Sequence, residues 1–359
     1  MGKIQLISRT FDSPPPGHHD SSVSLEVHFT RAGIHLPQLG LWLDARKRQR
    51  GGERVFVSHA HSDHIGAHDD VLLTEATSLF MRTRLPGKRR EHILNFGERT
   101  EFRYSSETFH LTALPAGHIL GSAMSFIEWR NETLLYTGDF KLHEGPIAER
   151  CITCRADQLI METTFGLPRY RFPDENTVRR DIANFCRETL ADGDVPVLHG
   201  YSLGKSQEIL RGLAGEGFQV MLQRDVGKMT RLHEKLGVTF PDHEPFDPEN
   251  ARGKVVITPP QSLKTMERVA LGKIRTAAVT GWAMDSSCRF RSGTDAAFPL
   301  SDHADFDGLL ELVKKVQPKK VFTVHGFARE FAQTLREQSL DAVAPGWHEQ
   351  MGLNMEIGL

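Results

Sequence analysis

Apolar and polar positions alternate with a period near two through most of the first 170 residues, and the period then lengthens. The runs VSLEVHFT (23–30), GIHL (33–36) and LGLWLD (39–44), separated by Gly and Pro, read as strands joined by tight turns. RVFVS (54–58), VLLT (71–74), FHLTAL (109–114), AMSFIEW (123–129) and TLLYTGD (133–139) continue the pattern, so strands outnumber helices up to about residue 173. After Pro173, Val178, Ile182, Phe185 and Leu190 recur at helical spacing and predict an amphipathic helix over 174–190. Strand-type and helix-type segments then alternate: VPVLHG (195–200), GKSQEILRGLA (204–214), FQVML (218–222), a helix over about 225–236, KVVIT (254–258) stopped by Pro259-Pro260, and IRTAAVTGW (274–282). Such alternation predicts a parallel α/β unit of its own. A helix over about 305–316, the strand KVFTVHG (320–326) and a helix over about 327–339 close the pattern. There is no internal repeat, and SPPPGHHDSS (13–22) reads as a loop or unstructured lead-in.

Composition narrows the class. At 359 residues the chain is long for one compact domain and implies two, or one with a large insertion. With 39% hydrophobic and 25% charged residues it reads as an ordinary globular protein and not as a disordered one. No apolar run approaches the roughly 18 residues a membrane span needs. The opening MGKIQLISRTFDSPPPGHH lacks the apolar stretch of a secretory signal, which points to the cytoplasm. Cys151, Cys154, Cys186 and Cys288 are too few for a disulfide scaffold, and Cys151-x-x-Cys154, lacking a second such pair, reads as structural. A formal charge of −2 gives no global basic footprint. The 18 histidines are the unusual entry and prompt a search for metal ligands.

That search ends at VFVSHAHSDHI (55–65). A β-branched run stops at Ser58, and His59, His61, Asp63 and His64 follow within six residues. In an extended or turn conformation His59 and His61 project to one side and can chelate one cation, with Asp63 and His64 facing a second position. Imidazole plus carboxylate suits zinc, manganese or iron. His118 in PAGH (115–118) and Asp139 in YTGD (136–139) each follow a strand, where loops on a rigid scaffold carry function.

H-x-H-x-D-H, then a Gly-His loop, then a Gly-Asp strand end, resembles the metallo-β-lactamase superfamily. Three further features resemble its β-CASP nucleases: Glu162 in LIMETTFG, His303 in PLSDHADF, and His325 in VFTVHGF. AGHILGSA, YTGDFK, YSLGKSQEIL and SDHADF also resemble the bacterial DNA-ligase-associated exonucleases, over about Leu41 to Ala342. The resemblance implies an αββα sandwich built from residues 1–170 and 295–359, with a β-CASP cap inserted at 171–294. It implies two divalent metal ions, zinc first and manganese as the alternative. His59, His61 and His118 would hold one, Asp63, His64 and His325 the other, and Asp139 would bridge them. Asp44 matches the first acidic motif, which orients a ligand, although Ala45-Arg46-Lys47 follows it where that family carries Gly. For phosphodiester hydrolysis, Asp63 would also orient the attacking water, and His303 would be the general acid, oriented and charged by Glu162.

The implied activity is exonucleolytic hydrolysis of DNA in repair, functionally alongside a ligase and a helicase. RNA processing on the same site is the alternative, a small-molecule hydrolase or a non-catalytic nucleic-acid module lies further off, and no membrane is involved. LHGYSLGKSQEIL is not a P-loop, because Gly200 and Gly204 are separated by three residues and not four. Its strand-to-helix turn still offers free N–H groups to an anion, so Ser202 or Ser206 and Lys205 are candidates to hold a phosphate, with Tyr201 stacking on a base. Basic clusters at 46–50, at 82–90, and at Arg169, Arg171, Arg179 and Arg180 could track a nucleic-acid backbone or simply face solvent. The remaining histidines, among them His18, His19 and His143, are expected at the surface.

Overall fold

A computed structural model describes residues 24–49, 51–260, 262–263 and 265–346. The Pro-rich segment 13–22, His18, His19 and Arg50 lie outside the described residues. The first sheet runs in chain order through β1 (His28–Thr30), β2 (Gly33–Leu36), β3 (Leu41–Leu43), β4 (Arg54–Phe56), β5 (Asp70–Leu73) and β6 (Arg90–Ile93), with helix α1 (Glu75–Arg84) between the last two. The second sheet begins with the meander β7 (Arg99–Tyr104), β8 (Glu107–Pro115), β9 (Ala123–Trp129) and β10 (Glu132–Tyr136), and then takes β11 (Gln158–Glu162) parallel to β10.

Period-two side chains divide these sheets into two faces each. Phe56 and Leu72 of the first sheet share one apolar core with Leu134, Tyr136 and Ile160 of the second. Their strand neighbours Val55, Val57, Val71 and Leu73 pack instead with Phe80 and Met81 of α1. This helix is absent from the sequence expectation because Thr77 and Ser78, polar but buried, interrupt its apolar stripe. Thr77 donates to the Gly121 carbonyl (3.1 Å) and Ser78 to Glu91 (2.6 Å), so the burial is satisfied. β6 and β7 were equally hidden in charged sequence.

Helix α2 (Glu175–Ala191), expected over 174–190 and N-capped by Asp174, opens a third sheet. It holds β12 (Val195–His199), β13 (Val220–Leu222), β14 (His243–Pro245), β15 (Val255–Thr258), β16 (Ile274–Val279) and β17 (Ala296–Phe298) in the order β14-β13-β15-β12-β16-β17, with α3 (Lys205–Gly212), α4 (Arg224–Lys235), α5 (Thr265–Leu271) and α6 (Cys288–Ser292) among them. All its pairings are parallel, as alternation required. After α7 (Phe306–Val316), β18 (Lys320–Val324) returns to the second sheet beside β11, followed by α8 (Ala328–Glu337) and β19 (Ala342–Val343). Leu309, Leu312, Phe331 and Leu335 of these helices pack on Leu135, Leu159 and Met161. No helix among the described residues is long and apolar enough to cross a membrane.

Candidate metal centre

The candidate ligands all sit at strand ends. Asp44 follows β3, His59 follows β4, His118 follows β8, Asp139 follows β10, Glu162 ends β11 and His325 follows β18. Register aligns them: Leu43 pairs with Phe56, and Glu162 pairs with Val324, so residues far apart in sequence leave the sheets side by side. The turns are tight. Gly138 has φ 54° and any Cβ there would lie 2.5 Å from Ser58, so only glycine lets Asp139 approach His59. Gly326 (φ 56°) is equally constrained after His325, which itself has φ 60°.

Asp44, also left-handed at φ 45°, is buried beneath the cluster. Its Oδ1 accepts the Ser58 N–H (2.7 Å), and its Oδ2 accepts from the Ser58 hydroxyl (2.5 Å), Tyr136 (2.7 Å) and His64 Nδ1 (2.7 Å). Because the Ser58 proton goes to Asp44, Ser58 Oγ accepts from His59 Nδ1 at 2.9 Å. His61 Nε2 donates to the Leu203 carbonyl (3.0 Å) and His118 Nδ1 to the Asp302 carbonyl (2.9 Å). In neutral imidazoles these partners fix every tautomer, leaving lone pairs on His59 Nε2, His61 Nδ1 and His118 Nε2.

Those lone pairs converge. His61 Nδ1 stands 3.1 Å from both His59 Nε2 and His118 Nε2, and Asp139 Oδ2 lies 3.5 Å and 4.0 Å from His59 and His118. Acceptors facing acceptors repel unless a cation sits between them, and ligands on a tetrahedral ion with bonds near 2.0–2.1 Å stand about 3.3 Å apart. The donor set therefore fits a divalent metal. Burial above all, then the neighbouring His64, holds His59 well below the usual imidazole range, and burial with His303 pushes His118 down to about 3. Neutral imidazole is the ligating form.

A second group adjoins the first. His64 Nε2 faces Asp139 Oδ2 (3.2 Å) and Asp63 Oδ2 (3.5 Å), and the His325 ring lies 5.8 Å from that of His64. Burial opposes a charged His64, but Asp139, Asp63 and Asp44 outweigh it and raise its affinity for a proton. A proton and a metal ion are alternative occupants of such a position. On the far side, Glu162 is buried, accepts the Phe140 N–H (2.9 Å) and holds His303 Nδ1 at 2.9 Å. Burial again opposes the imidazolium, and Glu162, followed by Asp139 and Asp302, overcomes it.

These groups open on a cleft of about 270 Å³ lined by His61, Asp63, Arg84, Asp139 and His303 from one side and by Tyr201, Ser202 and Lys205 from the other. Lys205 reaches the lining, but its ammonium is buried against Glu208 (2.7 Å) and Asp302 (3.5 Å), so its charge is already balanced inside the protein. Ser206 donates to the Gly200 carbonyl (2.9 Å) and serves its own turn. Many predicted basic positions are likewise engaged: Arg48 by Asp69, Arg82 and Arg89 by Glu91, Arg171 by Asp307, Arg179 by Glu175.

Two expectations outside the site change or hold. His143 is exposed as expected, whereas His68, His199 and His233 are buried. His68 and His233 donate to the carbonyls of Ala45 (2.7 Å) and Met229 (2.9 Å), which makes core positions tolerable for them. Cys151 and Cys154 are free, half-buried thiols pushed up to about 12 by burial, in keeping with a structural part. Sequence reasoning missed Ser58, Tyr136 and the carbonyls of Leu203 and Asp302, and it had Arg84 only as a member of the basic cluster at 82–90. Tyr136 carried a signal, since a tyrosine ending a buried strand needs a partner for its hydroxyl. Backbone carbonyls carry none.

Residues 296–345 match the family model described as "Zn-dependent metallo-hydrolase RNA specificity domain". Over 331 residues the chain is 51% identical to a protein of Opitutus terrae named "Probable DNA ligase", covering 92% of this chain and 32% of that one. It is 24% identical to "Integrator complex subunit 11" of Gallus gallus over 371 residues, covering 79% and 61%. By these matches the chain is similar to the β-CASP nucleases of the metallo-β-lactamase superfamily. The matched segment, described as part of a zinc-dependent metallo-hydrolase family, carries both His303 and His325. The chain spans about a third of the ligase-named relative and three fifths of the Integrator subunit. A solved protein of unknown function from Enterococcus faecalis V583 shares this chain's fold at TM-score 0.55 and 14% identity, over 82% of this chain and 80% of that one.

Proposed function

We propose that the protein hydrolyses phosphodiester bonds of nucleic acid, with DNA as substrate and an exonuclease in repair as its role. The observation that carries the reading is the convergence of unprotonated His59, His61 and His118 nitrogens and Asp139 beside the Glu162–His303 pair. In this reading 1–170 and 295–359 form the αββα sandwich and 171–294 the cap. His59, His61 and His118 would hold one divalent ion and Asp63, His64 and His325 a second, with Asp139 shared between the two sets. Zinc suits the imidazole-rich set, and manganese the carboxylates. Bound metal supplies charge neutralisation at phosphoryl oxygens and an acidified water.

The chain's own residues do the rest. Asp44 fixes the His64 ring, and the Leu203 and Asp302 carbonyls fix His61 and His118, so ligand directions are set before metal arrives. His303, held charged by Glu162 through Nδ1, keeps a proton at Nε2 for the leaving oxygen, and Glu162 is itself anchored by the Phe140 N–H. Asp63, at the cleft wall, accepts a hydrogen bond from the attacking water. Tyr201 and Ser202 line the side a base and sugar would occupy.

Identity of 51% with the ligase-named protein, over nearly the whole chain, supports DNA and a ligase as functional partner. The RNA-specificity description of the family model favours the second reading, RNA processing on the same site. Purified chain with zinc or manganese is expected to shorten end-labelled single-stranded DNA while matched RNA stays intact. RNA cleavage with intact DNA overturns the DNA reading. His303→Ala is expected to lower kcat on the preferred strand by about 10²–10⁴-fold, and an unchanged kcat removes His303 from the mechanism.

A further inference from the structure

We propose that Arg84 is the cleft's phosphate clamp, binding a backbone phosphate of the substrate strand next to the one being hydrolysed. The proposal rests on the phosphodiesterase reading and names a residue that reading does not use. Arg84 is the last residue of α1 and lines the cleft with Asp63, Asp139 and His303. Its cationic neighbour on the opposite wall, Lys205, is occupied by Glu208 and Asp302. Arg84 differs: among the described residues no carboxylate lies within 4.0 Å of its guanidinium, and no hydrogen bond holds it.

A half-buried guanidinium without a contact partner is costly in a folded chain. Two features tolerate it here. The carboxyl end of α1 favours a cation, and Asp63 attracts it from beyond contact distance. Neither satisfies its five N–H donors, whose planar fork matches two oxygens of a phosphate. His61 and Asp63, on the segment proposed to hold metal, lie within reach of its field. A strand whose scissile phosphate lies over Asp139 would bring a neighbouring phosphate to this wall, because Arg84 and Asp139 line the same 270 Å³ cleft. Of the other cations of its cluster, Arg82 and Arg89 are held by Glu91, and Lys88 and Arg90 do not line the cleft.

The test measures binding of a fluorescent single-stranded oligonucleotide to the full chain in chelator across a sodium chloride series, with cleavage assayed separately on metal-loaded protein. Arg84→Gln is expected to raise Kd about tenfold and to lower the log–log salt slope by about 0.7, the value for one lost phosphate contact on a single strand. Arg84→Lys is expected to restore the slope and only part of the affinity, because a point charge lacks the fork. Metal content and circular dichroism report whether each variant is intact. Wild-type Kd and slope in Arg84→Gln overturn the proposal, as does weaker binding with an unchanged slope, which marks a structural role. A wild-type chain that cleaves neither DNA nor RNA overturns the phosphodiesterase reading and this proposal together, whereas cleavage by wild type with no Arg84 effect overturns this proposal alone.

Discussion

At the scale of single residues, Asp44 has the largest consequence for its size. One buried carboxylate takes donors from Ser58, Tyr136 and His64, and through the Ser58 hydroxyl it also sets the tautomer of His59. Asp44→Asn keeps the volume but puts an N–H₂ where an acceptor is required, so His64 and His59 lose their fixed directions. Loss of such an outer partner typically weakens metal affinity 10–100-fold. Competition against a chromophoric chelator should read a drop of about that size for Asp44→Asn with the fold retained by circular dichroism, and wild-type affinity would refute the orienting role. The residue was legible in sequence only as an acid at a strand end. Its three partners were not, because Ser58 lies fourteen positions away and Tyr136 ninety-two, joined only by strand register. His59, His61 and Asp63 were legible for the opposite reason: chelation by neighbours in one turn is written as local spacing. Lys205 shows the converse, since a lysine at a strand-to-helix turn looks available in sequence, whereas in the structure Glu208 and Asp302 lie on it.

At the scale of elements, the third sheet is joined to the elements of the candidate metal centre by buried charge as well as by apolar contact. Ile119 packs with Leu203, Met229 and Leu232 in one cluster that also contains α1. Beside it, Lys141 from the second sheet's loop meets Glu175 of α2 (2.6 Å) and Glu208 of α3 (3.5 Å), and Glu208 also binds Lys205 (2.7 Å). Burial disfavours the Glu208 carboxylate, but Lys141 and Lys205 hold it below the usual range. Glu208→Gln leaves two buried ammonium groups short of a counter-charge, and breaking such a pair typically costs roughly 3–5 kcal/mol. Urea unfolding should report a loss of that order, and a loss within about 0.5 kcal/mol would mean solvent already screens the cluster. The alternating pattern after Pro173 announced this parallel unit, since β12, β15 and β16 are apolar runs between amphipathic helices. It could not announce α1, whose buried Thr77 and Ser78 find partners in Gly121 and Glu91, contacts that no periodicity encodes.

For the whole molecule, the candidate metal ligands are tied by hydrogen bonds to segments at the edge of the third-sheet unit. His61 is held by the carbonyl of Leu203, which belongs to the turn before α3, and His118 by the carbonyl of Asp302, just beyond β17. The candidate ligands themselves come from four separated segments, around residues 59–64, 118, 139 and 325. An ion that draws these segments together binds the folded chain and not the unfolded one, so it stabilises by mass action, by about 4 kcal/mol at a thousandfold excess over Kd. Chelation should therefore lower Tm by several degrees, and zinc or manganese should restore it in proportion to the logarithm of free metal. The loss should be unevenly distributed. Without an ion, the lone pairs of His59, His61 and His118 repel at 3.1 Å, and the cheapest relief is rotation of His61 away from the Leu203 carbonyl. Hydrogen exchange is then expected to quicken in the turn 201–204 and at 301–304 on metal removal, while β12 and β15 in the middle of the third sheet stay protected. Uniform acceleration would mean that metal stabilises the fold globally, and no change in either segment would separate residues 201–204 and 301–304 from the candidate metal centre.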